Sequence, residues 1–176
     1  MKKRMTMFVL ALTLIAISAS ALAQWATVNN PDPAERLNLR AKPSAQAISY
    51  GKYYNGTQVQ ILSGPNRGWY HVRVGLGNGI SEVEGYMMAK YLAVGEKAAQ
   101  VKDVRPVVTI GGAKDEYVYL VDFHTGSKVG KMRDGEKATV LGVGSEYLHV
   151  VTADGDTGMV EAELAAPRLY FSAEKE

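Results

Sequence analysis

The sequence predicts an all-β protein made of two small β modules behind an N-terminal signal peptide. From Gln24 onward, short runs of alternating apolar and polar residues lie between glycines and turn pairs, which is typical of strands. The same succession of runs occurs twice in the chain. The first 23 residues have the charged, apolar and small-residue order of an export signal.

The N-terminal segment begins with Lys2, Lys3 and Arg4 and continues with an apolar run over residues 7–17. It ends in an Ala-Leu-Ala cleavage pattern at residues 21–23. The apolar run is well short of the roughly 20 residues needed to span a bilayer. We therefore expect cleavage after Ala23, no membrane span afterwards, and a secreted or cell-envelope location. An uncleaved N-terminal anchor is the alternative.

The charge and the cysteine count exclude several functions. The chain has 20 Lys+Arg, 18 Asp+Glu and a net charge of +2, but residues 24–176 have 17 basic and 18 acidic side chains. This near-neutral balance removes the electrostatic case for a nucleic-acid partner. Because the chain has no cysteine, it cannot form disulfides, thiolate metal sites or a cysteine nucleophile.

The first module contains three clear strand signals. Residues 57–61 alternate, with Thr57, Val59 and Ile61 on one face, after an Asn-Gly turn at 55–56. Residues 69–74 also alternate, and residues 85–88 form the next predicted strand. In the strand at 69–74 we expect Tyr70, Val72 and Val74 to face inward and Trp69, His71 and Arg73 to face outward.

The second module repeats these blocks. Gly51 and Gly56 correspond to residues 79 positions later, Gly130 and Gly135. The block at 69–72 corresponds to 147–150, and the block at 85–87 to 158–160, because the first copy has a longer hairpin at 75–80. The predicted organisation is a signal peptide at 1–23, modules at 24–94 and 106–167, a polar linker or short helical turn at 95–105, and a tail at 168–176. The tail could add an edge strand at 168–172 or be a disordered end.

The first copy resembles the bacterial SH3 (SH3b) family in its motifs, which are LNLRAKPS at 37–44, YGK at 50–52, NGT at 55–57, WYHV at 69–72, GYM at 85–87 and YL at 91–92. The second copy is a degenerate relative in which residues 118–120 replace the opening motif. The resemblance implies two tandem, partly open SH3-like barrels of five to six strands. It also implies an exported, non-catalytic protein that recognises cell-wall peptide or peptidoglycan. The alternative is an extracytoplasmic adaptor that binds an extended peptide or a secreted or surface protein.

SH3-type barrels bind extended peptides in grooves lined by aromatic side chains. The ligand-binding candidates lie in the first module and are Asn38, Arg40, Tyr50, Tyr53, Tyr54, Trp69, Tyr86 and Tyr91. For any single tyrosine, packing in the core or at its rim is the alternative. The second copy has Val129, Tyr147, Met159 and Leu164 in place of Tyr50, Trp69, Tyr86 and Tyr91, so we assign it a structural or spacer role.

The two modules differ in charge. Residues 25–94 have seven basic and four acidic side chains, whereas residues 107–166 have five basic and ten acidic ones. Opposite net charges could favour docking of the modules or head-to-tail association. A solvated acidic surface explains the second module equally well.

No catalytic or metal site is expected. His71 and His149 occupy equivalent, outward strand positions, and a metal site needs three or four converging ligands. Residues 154–158 are predicted to form a hairpin turn, because they lack the other ligands of a calcium-binding loop. Residues 75–79 lie between strands and not before a helix, so they do not form a nucleotide loop. We therefore predict no cofactor and no enzymatic activity.

Overall fold

A computed structural model describes residues 24–75, 81–111, 116–167 and 169. The signal peptide, the centre of the hairpin at 75–80 and the tail strand predicted at 168–172 lie outside these residues, apart from Gly75 and Leu169. Leu169 is half-buried and packs on the second core.

The first half of the described chain contains seven strands, and the second half contains seven more. The first set is β1 (Gln24–Val28), β2 (Leu37–Arg40), β3 (Ser49–Tyr53), β4 (Gln58–Asn66), β5 (Trp69–Val74), β6 (Val83–Met88) and β7 (Leu92–Val94). The second set is β8 (Val107–Ile110), β9 (Tyr117–Val121), β10 (Lys128–Arg133), β11 (Glu136–Val143), β12 (Tyr147–Thr152), β13 (Thr157–Glu161) and β14 (Ala165–Ala166). Short 3₁₀ helices occupy Ala89–Tyr91, Gly95–Gln100 and Ala162–Leu164.

The all-β prediction is confirmed, and the strands pair antiparallel. Within the described ranges, no helix has the length and apolar character required to cross a bilayer. The linker predicted at 95–105 begins with the 3₁₀ helix and continues without regular structure to residue 106. It lies against the first half, where the Val104 amide donates to the Asn55 carbonyl at 3.2 Å.

The pairing registers of the two halves correspond. In the first half, β1 pairs with β4 and β7, β4 with β5, β5 with β6, and β6 with β2. In the second half, β8 pairs with β11 and β14, β11 with β12, β12 with β13, and β13 with β9. A β-bulge interrupts the ladder at the same place in each half, at Leu62 in β4 and at Leu141 in β11. Residues 118–120 pair with 130–132 in the same way as residues 37–39 pair with 51–53.

Two clusters of buried apolar side chains are centred one in each half, and the first also includes Leu141 and Met159 of the second half. The first includes Leu39, Val59, Val72, Val74 and Met87, and the second includes Ile110, Leu120, Val140, Leu148 and Val150. Val72 and Val74 are fully buried and Tyr70 packs on the first cluster, as the alternation in β5 predicts. Trp69, His71 and Arg73 are each partly exposed on the other face.

The two halves join edge to edge through β3 and β11. Lys52 and Tyr53 pair with Val143 and Gly142, respectively. The bulge at Leu141 turns its carbonyl oxygen toward the first half, where that oxygen accepts hydrogen bonds from the Tyr54 amide at 3.0 Å and from the Thr57 hydroxyl at 2.9 Å. The Leu141 side chain belongs to the first buried cluster. The strand ladder therefore continues from one half into the other.

His149 is buried at the junction, although its outward strand position was expected to lie on the surface. The alternation in β12 directs this side chain away from the core of the second half, as predicted, yet His149 is only 2% exposed. The first half covers it, because the Tyr53 ring stands edge-on to the imidazole with the ring centroids 5.9 Å apart. Its counterpart His71 in β5 remains partly exposed.

Candidate functional site

The predicted ligand-binding residues lie on two separate faces of the first half. Trp69, Tyr86 and Tyr91 lie with Asn38 and Arg40 on one face, around β5, β6 and β2. The other three tyrosines face the second half and are Tyr50, Tyr53 and Tyr54. This division follows from the strand order, because β3 lies beside β11 whereas β5 and β6 lie beyond β2.

A groove beside Trp69 is formed where β5 and β6 lie side by side. His71 and Tyr86 are opposite each other in the ladder, and their rings stack with centroids 4.9 Å apart and an interplanar angle of 25°. The Nε2 atom of His71 is 3.7 Å from a carboxylate oxygen of Glu84. The groove has a volume of about 360 Å³ and is lined by Pro43, Ser63, Gly64, Asn66, Arg67, Trp69, His71 and Tyr86.

A smaller depression lies on the other side of Trp69. It has a volume of about 180 Å³, and its lining includes Asn38, Arg40, Trp69 and Tyr91. The depression is open to solvent, and the Lys90 ammonium lies 4.6 Å from the centroid of the Tyr91 ring. Because Trp69 borders both the groove and the depression, one indole can contact a ligand in either.

The polar residues of the opening motif have structural partners. Asn38 accepts a hydrogen bond from the Ser49 hydroxyl at 2.8 Å, which links β2 to β3. Arg40 is 8% exposed and donates from Nη1 to the Ala47 carbonyl at 2.8 Å. Both side chains therefore hold the loop between β2 and β3 in place beside the depression.

The three tyrosines that face the second half contact it through their rings. Tyr50 packs edge-on against Phe123 with the centroids 5.4 Å apart, and Tyr54 packs on the second buried cluster. Tyr53 is 2% exposed. A ligand in the groove over His71 and Tyr86 does not reach these rings, so the candidate site includes five of the eight predicted residues.

The junction also contains two buried ionisable groups. The Tyr53 hydroxyl is 3.3 Å from Nδ1 of His149. Burial raises the pKa of the Tyr53 phenol well above its usual range and lowers the pKa of His149 to about 4. Both groups are therefore neutral near pH 7, and the junction is held by packing and hydrogen bonds without a charge on either group.

Several lining residues of the groove escaped the sequence motifs. Ser63, Asn66 and Arg67 lie in the extension of β4 and its turn, which no motif covers. His71 could have been found from the alternation in β5, because its outward position places it between Trp69 and Arg73. In the part of the chain that the structure describes, no cluster of three or more His, Cys, Asp or Glu side chains could hold a metal ion. The groove offers flat ring faces, one imidazole and the Arg67 cation.

Two solved structures from Trichomonas vaginalis resemble this chain. The structure of NlpC1 has 16% sequence identity and a TM-score of 0.33, and the match covers 90% of this chain and 50% of that one. The structure of NlpC2 has 12% identity and a TM-score of 0.35, with 84% and 49% covered. The chain thus spans about half the length of these proteins, and TM-scores this low carry no functional information. No curated protein matches the chain significantly.

A family model gives the firmer result. Residues 35–93 match the model described as bacterial SH3 domain. The matched segment runs from the residues just before β2 to β7, and it contains every residue that lines the groove beside Trp69. The motifs in residues 37–92 that resembled this family lie in the same segment. The first half of this chain therefore contains a bacterial SH3 domain.

Proposed function

We propose that this chain is an exported, non-catalytic binding protein whose bacterial SH3 domain recognises cell-wall peptide or peptidoglycan. The observation that carries the proposal is the groove of about 360 Å³ beside Trp69, with the stacked His71 and Tyr86 rings in its wall. This groove lies wholly within residues 35–93.

The chemistry of the groove suits a peptide better than a small apolar molecule. Flat aromatic faces pack against an extended backbone at a small entropic cost, since such a backbone has little conformational freedom left to lose. Arg67 lines one end, and the first half as a whole carries more basic than acidic side chains. These cations favour peptides with free carboxylates.

The second half supports the domain in this proposal and does not bind the ligand. Its surface equivalent to the groove is formed by Tyr147, His149 and Met159, and Tyr50 and Tyr53 of the first half lie on it. Only about 70 Å³ remains open there. A ligand would have to displace β3 to reach this surface.

Export and the lack of catalysis belong to the same proposal. The order of charged, apolar and small residues at 1–23 supports export. The lack of cysteine throughout the sequence excludes a cysteine nucleophile. The Trp69 indole and the stacked His71 and Tyr86 rings support a binding role for the groove.

A protein–protein adaptor is the second candidate function. One observation favours it, because the equivalent surface of the second half holds a strand of protein, β3. The groove of the first half, at the equivalent strand positions, could hold a strand from an exported partner protein.

The experiment is a sedimentation assay with purified, insoluble peptidoglycan and the protein comprising residues 24–176. We expect the protein to sediment with the wall. Trp69→Ala should lower the apparent affinity about tenfold, since aromatic anchors of this kind carry much of a binding free energy. Tyr147→Ala is the matched control, because Tyr147 is the equivalent residue of the second half and is 40% exposed.

Equal retention of the wild type and Trp69→Ala would place the wall contact outside the groove. Failure of the wild type to sediment would contradict the wall ligand. If, in that case, an exported protein is captured and Trp69→Ala releases it, the adaptor function replaces the wall-binding one.

A further inference from the structure

We propose that the groove takes its ligand as an extended peptide strand that pairs antiparallel with β4 at Leu62–Ser63 and places a small side chain over Ser63. This inference rests on the proposed function and specifies how the peptide binds. The junction between β3 and β11 shows how a strand pairs with the equivalent surface of the second half.

The groove and the junction are equivalent surfaces. Pairing registers align Ser63, Trp69, His71 and Tyr86 with four residues of the second half, which are Gly142, Tyr147, His149 and Met159. In the second half this surface is covered by β3, which pairs with Gly142 and Val143 and inserts Tyr53 over His149. The protein thus already contains one surface of this type with a strand bound to it.

Among the described strands, none pairs with the corresponding edge of β4 beyond Ile61. β1 pairs with β4 only as far as Ile61, just as β8 pairs with β11 only as far as Thr139. Beyond that point β3 continues along β11, whereas no strand of the described chain continues along β4. The matching bulge lies at Leu62, the residue equivalent to Leu141, whose carbonyl accepts the Tyr54 amide. An added strand would donate an amide to Leu62 in the same way.

The differences between the two surfaces define the ligand. A Cβ atom at Gly142 would lie 2.7 Å from Cδ1 of Tyr53, so the Tyr53 ring occupies the space of a missing side chain. Ser63 has that side chain, and a ring in the same position would collide with it. The residue of the ligand at this position must therefore be small. Arg67 replaces Ser145 at the rim, which favours a carboxylate nearby.

A second copy of the chain is the less favoured occupant. The strand equivalent to β3 is β10, which pairs only with β9 in the described chain and is therefore an available donor strand. It has Val129 and Met132 where β3 has Tyr50 and Tyr53, and Met132 is fully buried in its own core. β10 therefore has no ring to place over the surface formed by Trp69 and Tyr86, unlike β3 at the junction.

The test uses synthetic nine-residue peptides with the sequence of residues 47–55, either unchanged or with alanine at the position of Tyr53. Each is titrated into the protein of residues 24–176, and binding is followed by NMR at Trp69 and His71. We expect the alanine peptide to bind about tenfold more tightly than the tyrosine peptide, because of the collision with Ser63. In the Ser63→Gly variant this preference should disappear, since the space that Tyr53 uses in the second half is restored.

N-methylated peptides test the strand pairing. At the junction, the backbone amide of Tyr54 donates to Leu141 of the acceptor strand β11. The backbone amide of Tyr53 points to the opposite side, toward β2. Methylation at position 54 should therefore abolish binding, and methylation at position 53 should leave it within about twofold.

The inference is overturned if methylation at position 54 has no effect or if Ser63→Gly leaves the preference unchanged. It is also overturned if neither peptide shifts Trp69 while peptidoglycan still retains the protein, a result that leaves the proposed function standing. Concentration-dependent sedimentation of the protein that Trp69→Ala abolishes would make a second copy the occupant and overturn the external peptide. Loss of retention by peptidoglycan, with peptide binding intact, contradicts the wall ligand and leaves the strand mode standing.

Discussion

The junction makes the stability of the protein depend on pH through His149. Burial lowers the pKa of this imidazole from 6.5 to about 4, so the folded state binds the proton less readily than the unfolded state. The contribution of the neutral His149 to the free energy of unfolding is therefore fully present above pH 6.5. It is lost as the pH falls from 6.5 toward 4. Each unit of pKa difference corresponds to about 1.4 kcal/mol, so the free energy of unfolding should fall by about 2 to 3 kcal/mol by pH 4.5.

The assay is urea denaturation at several pH values from 7.5 to 4.5, with His149→Gln as the comparison. The glutamine cannot titrate, so its free energy of unfolding should change much less over this range. Hydrogen bonds also lower the pKa of Asp103 and Asp122, but these carboxyls lose their contribution at lower pH than His149 does. An NMR titration should assign a pKa near 4 to His149. Parallel pH profiles for the two proteins would refute the reasoning.

Three further predictions concern packing and charge. Gly142→Ala places a Cβ atom against the buried Tyr53 ring and should cost about 1 to 3 kcal/mol in chemical denaturation; an unchanged midpoint would show that the ring moves freely. Leu141→Ala should cost about 2 to 4 kcal/mol and lower the stability of both halves together, since its side chain lies in the first cluster; separate transitions by NMR would contradict this. Arg73→Ala removes the partly exposed ion pair with Glu84 and should lower the free energy of unfolding by less than about 1 kcal/mol. A larger loss would show that this ion pair stabilises the fold more than exposed pairs usually do.

Much of the strand arrangement was predictable because alternation is a local property. The apolar period of two in β5 correctly placed Val72 and Val74 inside. The turn predicted from Asn55-Gly56 before β4 is also local, and Gly56 has the positive φ of +94° that such a turn requires.

The grouping of the aromatic residues was not predictable from local patterns. The sequence analysis assigned all eight candidates to one binding site in the first module, but the strand order separates Tyr53 from Trp69. The burial of His149 depends on the missing side chain at Gly142 and on the bulge at Leu141, which together let β3 approach β11. These are long-range contacts between residues almost 90 positions apart, and no periodicity within either strand indicates them.

In the described chain β10 pairs with β9 alone, and its other edge has a consequence for solubility. An unpaired strand edge is a template for aggregation, and proteins commonly protect such edges with lysine and with bulges. β10 has both, since its pairing with β9 shifts between Lys128 and Gly130, and Lys128 and Lys131 extend over the rings of β9 at 3.4 and 4.1 Å from their centroids. Positive charge along this edge repels the same edge of another molecule. We therefore expect strand addition not to continue from one molecule to the next along this edge.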